Sequence, residues 1–397
     1  MKSQQTVSKL SILSMASIPL VMTLGNSMLI PSLPIIEKEL HISSFFSSLL
    51  ITSYSVASII LIPVAGYLSD LYGRKKVILP SLLFVLLGGL MAALASWKME
   101  NPYWTIILSR VLQGIGAAGA APIVLPLVGD LYKRDEEASA ALGIIETANT
   151  FGKVLSPILG SVFAALFWFL PFYLISAFSL ISFIMVLFFI KTPRKKAKTV
   201  PLNTFVKNTK DIFRSEGRWL NTLFLIGGFV MFILFALQVY LSNTLESQFH
   251  LNGVKKGFVL AIPLMVLCIC SLAGGKLIKG DKERMKRLIV GGLLLQALSL
   301  FFFREYGSLI PLLVVISING AAIGLILPTL DAMITENIDK NARGIITAFY
   351  SSARFIGVAA GPPAIAVLLG KPLGLISAFA AIFTLYLVWL ALKKIQI

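Results

Sequence analysis

GYLSDLYGRKKVIL, residues 66–79, is a polar interruption in an apolar stretch of chain. Apolar runs flank it, roughly at residues 45–69 and 77–97, each near the ~20 residues that span a bilayer as a helix. A short loop between two such runs is often merely basic. This one adds fixed parts: Gly66 for close helix approach, Asp70 at the end of one run, Gly73 for a tight turn, then Arg74, Lys75 and Lys76. Asp70 and Arg74 are spaced to pair at a membrane edge, where a partly desolvated charge needs a partner.

The rest of the chain repeats the apolar pattern. Of 397 residues, 57% are hydrophobic and 13% charged, against about 25% charged in an average soluble protein. The bilayer is therefore the main solvent. About twelve spans are read, roughly at residues 9–35, 45–69, 77–97, 103–131, 139–167, 170–190, 220–242, 256–278, 288–304, 309–333, 344–369 and 373–392. With both termini in the cytoplasm, 26 of the 35 Lys and Arg fall on the cytoplasmic side and six outside, Lys256 among those six. Arg110, Lys153 and Arg354 remain within spans. This is the asymmetry of the positive-inside rule. The net charge of +17 thus reports topology and attraction to anionic lipids at the cytoplasmic face, and no nucleic-acid partner is expected.

Two six-span halves are expected, residues 1–190 and 220–397, joined by a basic cytoplasmic linker, residues 191–219. An amphipathic piece around residues 202–213 reads equally as a helix on the inner membrane surface or as solvated linker. Gly152-Lys-Val-Leu-Ser-Pro157 in span 5 is answered by Gly357-Val-Ala-Ala-Gly-Pro362 in span 11, and Leu125-Pro126 by Leu327-Pro328. Such repeats are an architecture of transporters. Cys268 and Cys270 read as small core residues, and His41 and His250 fall in separate outer loops, so no metal is expected. The first apolar run continues through Pro31 and Pro34 without a small-residue cleavage site, which speaks against a signal peptide.

Residues 66–79 resemble the signature loop of the major facilitator superfamily, G-x-L-x-D-x-x-G-R-[RK]-x. Three further stretches resemble motifs of its twelve-span drug:proton antiporter branch: LGNSMLIPSLP (residues 24–34) in span 1, LSRVLQGIGAA (residues 108–118) in span 4, with Arg110 and Gly114 at the key places, and GKVLSPILGS (residues 152–161) in span 5. The span-5 motif has Ser156 and Ser161 where that branch favours glycine, the second-half counterpart of the loop (residues 274–288) loses the pattern, and span 1 carries no acid. The resemblance implies an all-α polytopic fold of twelve transmembrane helices in two pseudo-symmetric six-helix bundles. It also implies a bacterial plasma- or inner-membrane location, no cofactor, and a monomer working by alternating access.

The resemblance further implies a latch of Gly66, Asp70, Gly73, Arg74 and Asp130 that holds the cytoplasmic side closed. Two acids flanking one guanidinium suit that role; the other reading is a topological anchor. The small residues Gly152, Ser156 and Gly160 with Pro157 lie on one helix stripe, where small side chains permit close approach and proline bends the span. The resemblance implies a packed outer gate there, against span 8 or span 11, with Gly357, Gly361 and Pro362 as its second-half equivalent. Ordinary packing is the alternative.

Charges within spans are expensive and face a partner or a watery path. Glu146 and Lys153 share a helix face with a rise of about 10 Å between them, long for a direct ion pair, with Asn149 and Thr150 between. Glu146 is read as the proton-exchanging carboxylate, since an apolar cavity lets a carboxyl take up and release protons near neutral pH. Arg110 or Lys153 would favour its charged form; a fixed ion pair is the alternative. Asp331 is a second candidate. Asn26, Gln113, Gln238, Asn319 and Arg354, with Asn149, are read as polar contacts for a small-molecule substrate. Three bases against Glu146 favour neutral, zwitterionic or anionic substrates. With no P-loop pattern in the chain, ATP drive is not indicated. The expected function is proton-coupled export of drugs or small amphipathic molecules. A dedicated exporter of a metabolite or lipid-like molecule, an uptake symporter and, disfavoured, a membrane-embedded enzyme are the alternatives.

Overall fold

The computed structural model describes residues 8–132, 135–191, 202–278, 281–338 and 340–395. Residues 192–201 of the expected linker, and Lys2, Lys133, Arg134 and Lys279 of the basic set, lie outside them. The described chain is helical throughout, without a strand. The first half runs α1 (Lys9–Ser27), a 3-10 turn (Ile30–Ser32), α2 (Leu33–Leu40), α3 (Ser44–Tyr72), α4 (Arg74–Lys98), α5 (Tyr103–Leu131), α6 (Asp135–Leu166) and α7 (Leu170–Phe189). The second runs α8 (Leu202–Ser247), α9 (Gly253–Ile278), α10 (Lys282–Phe302), α11 (Leu309–Asn337), α12 (Lys340–Leu368) and α13 (Leu373–Lys394).

Among the described residues, 11 stretches are long and apolar enough to cross a membrane, α1 and α2 together making the first. The twelfth is α6, 32 residues long. Glu146, Asn149, Thr150 and Lys153 in its middle make it less apolar than its neighbours. Large apolar side chains such as Ile60, Phe188, Phe301 and Ile310 point outward and are well exposed, the arrangement of a surface wetted by lipid. Inside, small polar residues join helices: Ser17 and Ser182 hydroxyls lie 2.8 Å apart between α1 and α7, and Ser14 Oγ donates to Met185 O at 3.2 Å. Hydrogen bonds and close approach replace the hydrophobic drive that lipid abolishes.

Local chemistry sets the breaks. Gly73 turns α3 directly into α4 with φ 100°, a backbone region that L side chains rarely adopt. Pro31 and Pro34 lack N–H groups, so α1 cannot continue as one helix and passes through the 3-10 turn. α8 bends as well. A straight helix would separate Phe213 from Phe224 by about 16 Å along its axis, yet their ring centroids are 6.0 Å apart. The stretch ahead of Gly217 therefore turns away from the span, and Phe213 also meets Phe349 of α12 edge-on at 5.5 Å.

The halves meet along two helix pairs. α3 and α12 touch at both ends and the middle: Thr52 Oγ1 donates to Ala359 O at 2.7 Å and Ser352 Oγ to Ile59 O at 3.0 Å, while Gly66 faces Ala348. In the other pair, Gly257 of α9 lies so near α6 that a Cβ there would stand 2.7 Å from Pro157 O and 2.8 Å from Ser161 Cβ. The Gly152–Gly160 stripe itself turns elsewhere. Gly152 faces Leu20 and Thr23 of α1, and Gly160 lies against the Met28 carbonyl and Pro31. Its second-half equivalent is alike: Gly357 and Gly361 pack on Gly228, Phe232 and Ala236 of α8. Each stripe thus holds two helices of one half together, and the contact with the opposite half is made by the adjoining Pro157 and Ser161.

Candidate functional site

Between the halves lies a cavity of about 370 Å³, within the size range of small-molecule sites. Its wall mixes apolar side chains, among them Met22, Met231, Leu234, Phe235 and Phe355, with Asn26, Gln238 and four charged groups: Glu146, Lys153, Asp331 and Arg354. The wall residues of α5, α6, α11 and α12 lie mainly in the middle of each helix and towards the face that carries the chain termini.

The four charges divide unequally. Arg354 Nη1 donates to both oxygens of Asp331, at 3.1 and 3.4 Å, and its guanidinium carbon lies 5.6 Å from the centre of the Tyr350 ring. That pair is closed on itself. Glu146 makes no ion pair among the described residues. Its carboxylate accepts from Asn149 Nδ2 at 3.3 and 3.4 Å and from Thr150 Oγ1 at 3.4 Å. Asn149 is oriented in turn by Thr23 of α1, whose hydroxyl donates to Asn149 Oδ1 at 2.5 Å. Lys153 shares the wall and makes neither ion pair nor hydrogen bond among the described residues. One carboxylate held by neutral donors alone is chemically available to protons or to substrate.

Arg110 stands behind this wall. It is fully buried; Nε donates to Leu50 O at 2.9 Å, Nη1 to Gly25 O at 3.0 Å and to Gln113 Oε1, and Nη2 to Asn26 Oδ1 at 3.2 Å. Its guanidinium carbon lies 4.6 Å from the Tyr54 ring centre. Its donors are spent on tying α5 to α1 and α3, and only Asn26 and Tyr54 pass its influence to the cavity. Gln113 and Asn319 are buried in helix packing and are not among the wall residues.

At the termini face, Arg74 pairs with Asp70 and reaches Asp130 through Nε at 3.4 Å. Ser69 Oγ accepts from Arg74 Nη1 at 2.5 Å. This cluster joins α3, α4 and α5 within the first half. Sequence reading missed Ser69, Thr23, Tyr54 and Tyr350, whose polar groups matter only through neighbours on other helices. The Asp331–Arg354 pairing was signalled faintly: a base inside an apolar span is costly without a partner, and an acid lies near the inner end of the preceding span of the same half.

A family model described as the Major Facilitator Superfamily matches residues 15–362 and again residues 280–395. The chain belongs to this superfamily. It is 52% identical over 382 residues to the bacillibactin exporter of Bacillus subtilis (strain 168), covering 95% of each chain. It is 27% identical over 349 residues to multidrug resistance protein 2 of the same organism, covering 85% of this chain and 84% of the other. Among solved structures, the human organic anion transporter MFSD10 (TETRAN) superposes with a TM-score of 0.72 at 17% identity, over 98% of this chain and 100% of the other, a likeness of fold. The superfamily member described here is therefore a multi-pass membrane transporter of exporter type.

Proposed function

We propose that this transporter exports bacillibactin, or a molecule chemically close to it, from the bacterial cytoplasm by alternating access, in exchange for protons carried by Glu146. The observation that carries the reading is the 52% identity to a bacillibactin exporter, sustained over 95% of both chains. The termini face is the cytoplasmic one, supported by the bias of Lys and Arg towards it.

The charge arrangement supports Glu146 as the carrier over Asp331. A proton carrier must ionise and neutralise within one cycle. Asp331 has Arg354 at ion-pair distance; the hydrogen-bond donors of the Glu146 carboxylate are neutral. Hydrogen-bond donors of a substrate can engage the ionised carboxylate, and a proton arriving on it releases them. Each proton moving inward supplies about 2.3 kcal/mol per 100 mV of membrane potential.

Everted membrane vesicles with an acidic interior test this. Adding bacillibactin is expected to dissipate the gradient in wild-type vesicles and to leave it intact in Glu146→Gln vesicles of equal expression. No response of the wild type to bacillibactin, together with a response to structurally unrelated drugs, would overturn the dedicated reading. It would favour the broad specificity named in the 27% identical relative.

A further inference from the structure

On the face opposite the termini, the two halves are tied by groups outside the cavity. The Pro31-x-x-Pro34 break prepares one side of the tie. In the 3-10 turn Ile30 O accepts from Leu33 N–H, and since Pro34 has no N–H to offer it, its second lone pair is open to a donor from elsewhere. The second half supplies that second donor: Ser242 Oγ of α8 donates to Ile30 O at 3.1 Å. One residue on, Lys256 of α9 donates from Nζ to Pro31 O at 3.0 Å and to Glu246 Oε2 at 2.9 Å. The other oxygen of Glu246 takes Lys38 of α2 at 2.5 Å. Lys256 is only 2% exposed. Sequence reading placed it on the outer side at the start of a span; it lies in the first turn of α9, turned inward.

We propose that Ser242, Glu246 and Lys256, docked on the carbonyls of the Pro31–Pro34 break and on Lys38, form a releasable lock that closes the outer mouth of the pathway. The division of partners is the physical reason. Glu246 and Lys256 belong to the same half and pair with each other. Opening the mouth therefore never strands a buried charge, the event that makes separation of buried pairs so costly. What opening breaks is one bond to a carbonyl, one hydroxyl bond, and an ion pair whose Lys38 side chain is already 71% exposed. Water replaces all three as the halves part. The lock also lies over the cavity: Gln238, on its wall, is one helical turn below Ser242.

The proposal rests on the reading of this face as external, and its test needs neither substrate nor proton gradient. In the full-length chain with Cys268 and Cys270 replaced by serine, Gln238→Cys serves as reporter for a membrane-impermeant maleimide. Glu246→Gln, which leaves Lys256 buried without its anion, is expected to raise labelling from outside intact cells about tenfold. Ser242→Ala is expected to raise it roughly threefold. Lys256→Met guards against misfolding in either variant, since it removes the buried charge with its bonds; it is expected to raise labelling as well. A rise only in everted vesicles would keep the lock and overturn the orientation. Unchanged labelling from both sides in all three variants would overturn the lock, whatever the substrate proves to be.

Discussion

At the scale of single residues, the informative contrast is between two acids that share one cavity. Asp331 is bound to Arg354 through both oxygens, whereas Glu146 accepts only from an amide and a hydroxyl. Their substitutions are expected to fail differently. Glu146→Gln keeps one oxygen that can accept from Asn149 and Thr150, and loses the longer second bond from Asn149 together with the charge and the titratable proton. It should leave the melting temperature of the detergent-solubilised protein within about a degree of wild type while abolishing gradient-driven transport. Asp331→Asn strands Arg354. Loss of one partner of a deeply buried pair costs about 3–5 kcal/mol; the Asp331 side chain is 36% exposed, so a loss on the order of 1 kcal/mol is expected here. This should lower the melting temperature by a few degrees, with partial recovery in the double variant Asp331→Asn/Arg354→Gln. Glu146 was legible in the sequence as a charge within an apolar span and Asp331 as one near the inner end of a span, but the difference in their partners was not, because it depends on which helix faces which.

At the scale of elements, backbone contact governs the bundle. Gly160 and Gly357 are packed so closely that a Cβ would stand 2.1 Å from Met28 O and 1.9 Å from Gly228 O respectively. Either side chain would have to drive two helices apart, and overpacking of this kind costs about 1–3 kcal/mol. Gly160→Ala and Gly357→Ala are expected to reduce the yield of folded protein, measured as the monodisperse fraction after extraction. Gly129→Ala and Gly143→Ala, where a Cβ would meet nothing within 4 Å, are expected to match wild type. The Gly-x-x-x-small-Pro repeat signals close approach as chemistry. Its partner was not readable, since small-residue stripes advertise that some helix comes near and not which one. Here the partner is the first helix of the same half, α1 or α8, in both halves alike.

At the scale of the whole molecule, the proposed alternating access requires that contacts on the two faces compete. The Arg74 cluster at the termini face engages Asp70, Asp130 and Ser69, all of the first half. Ser69, Asp70 and Arg74 line one small pocket with Gly344, Ile345, Ala348 and Phe349 of α12, so the cluster shapes the surface that the second half meets. Asp70→Asn is expected to slow export several-fold at unchanged membrane insertion, assessed by transport per inserted molecule; full activity would reduce the cluster to a topological anchor. Arg74→Lys should act in the same direction, because an ammonium lacks the planar fork that reaches two carboxylates together.

The amino-acid sequence by itself determined that this chain lives in a bilayer, how many spans it carries, that its basic loops gather on one face, which superfamily it resembles, and which charges fall within apolar spans against their preference. Those properties follow from composition and order along the chain, and each span reports them independently. Only the tertiary structure decided that Arg110 is walled in behind Tyr54, that Asp331 is committed to Arg354 while Glu146 is not, and that the Pro31–Pro34 break is completed by Ser242 and Lys256 of the other half. The reason is physical. In water, hydrophobic periodicity tells which face of a helix is inside. In lipid, the outer face is as apolar as the core, so rotation about each helix axis, and with it every partnership between helices, is settled only when the helices pack.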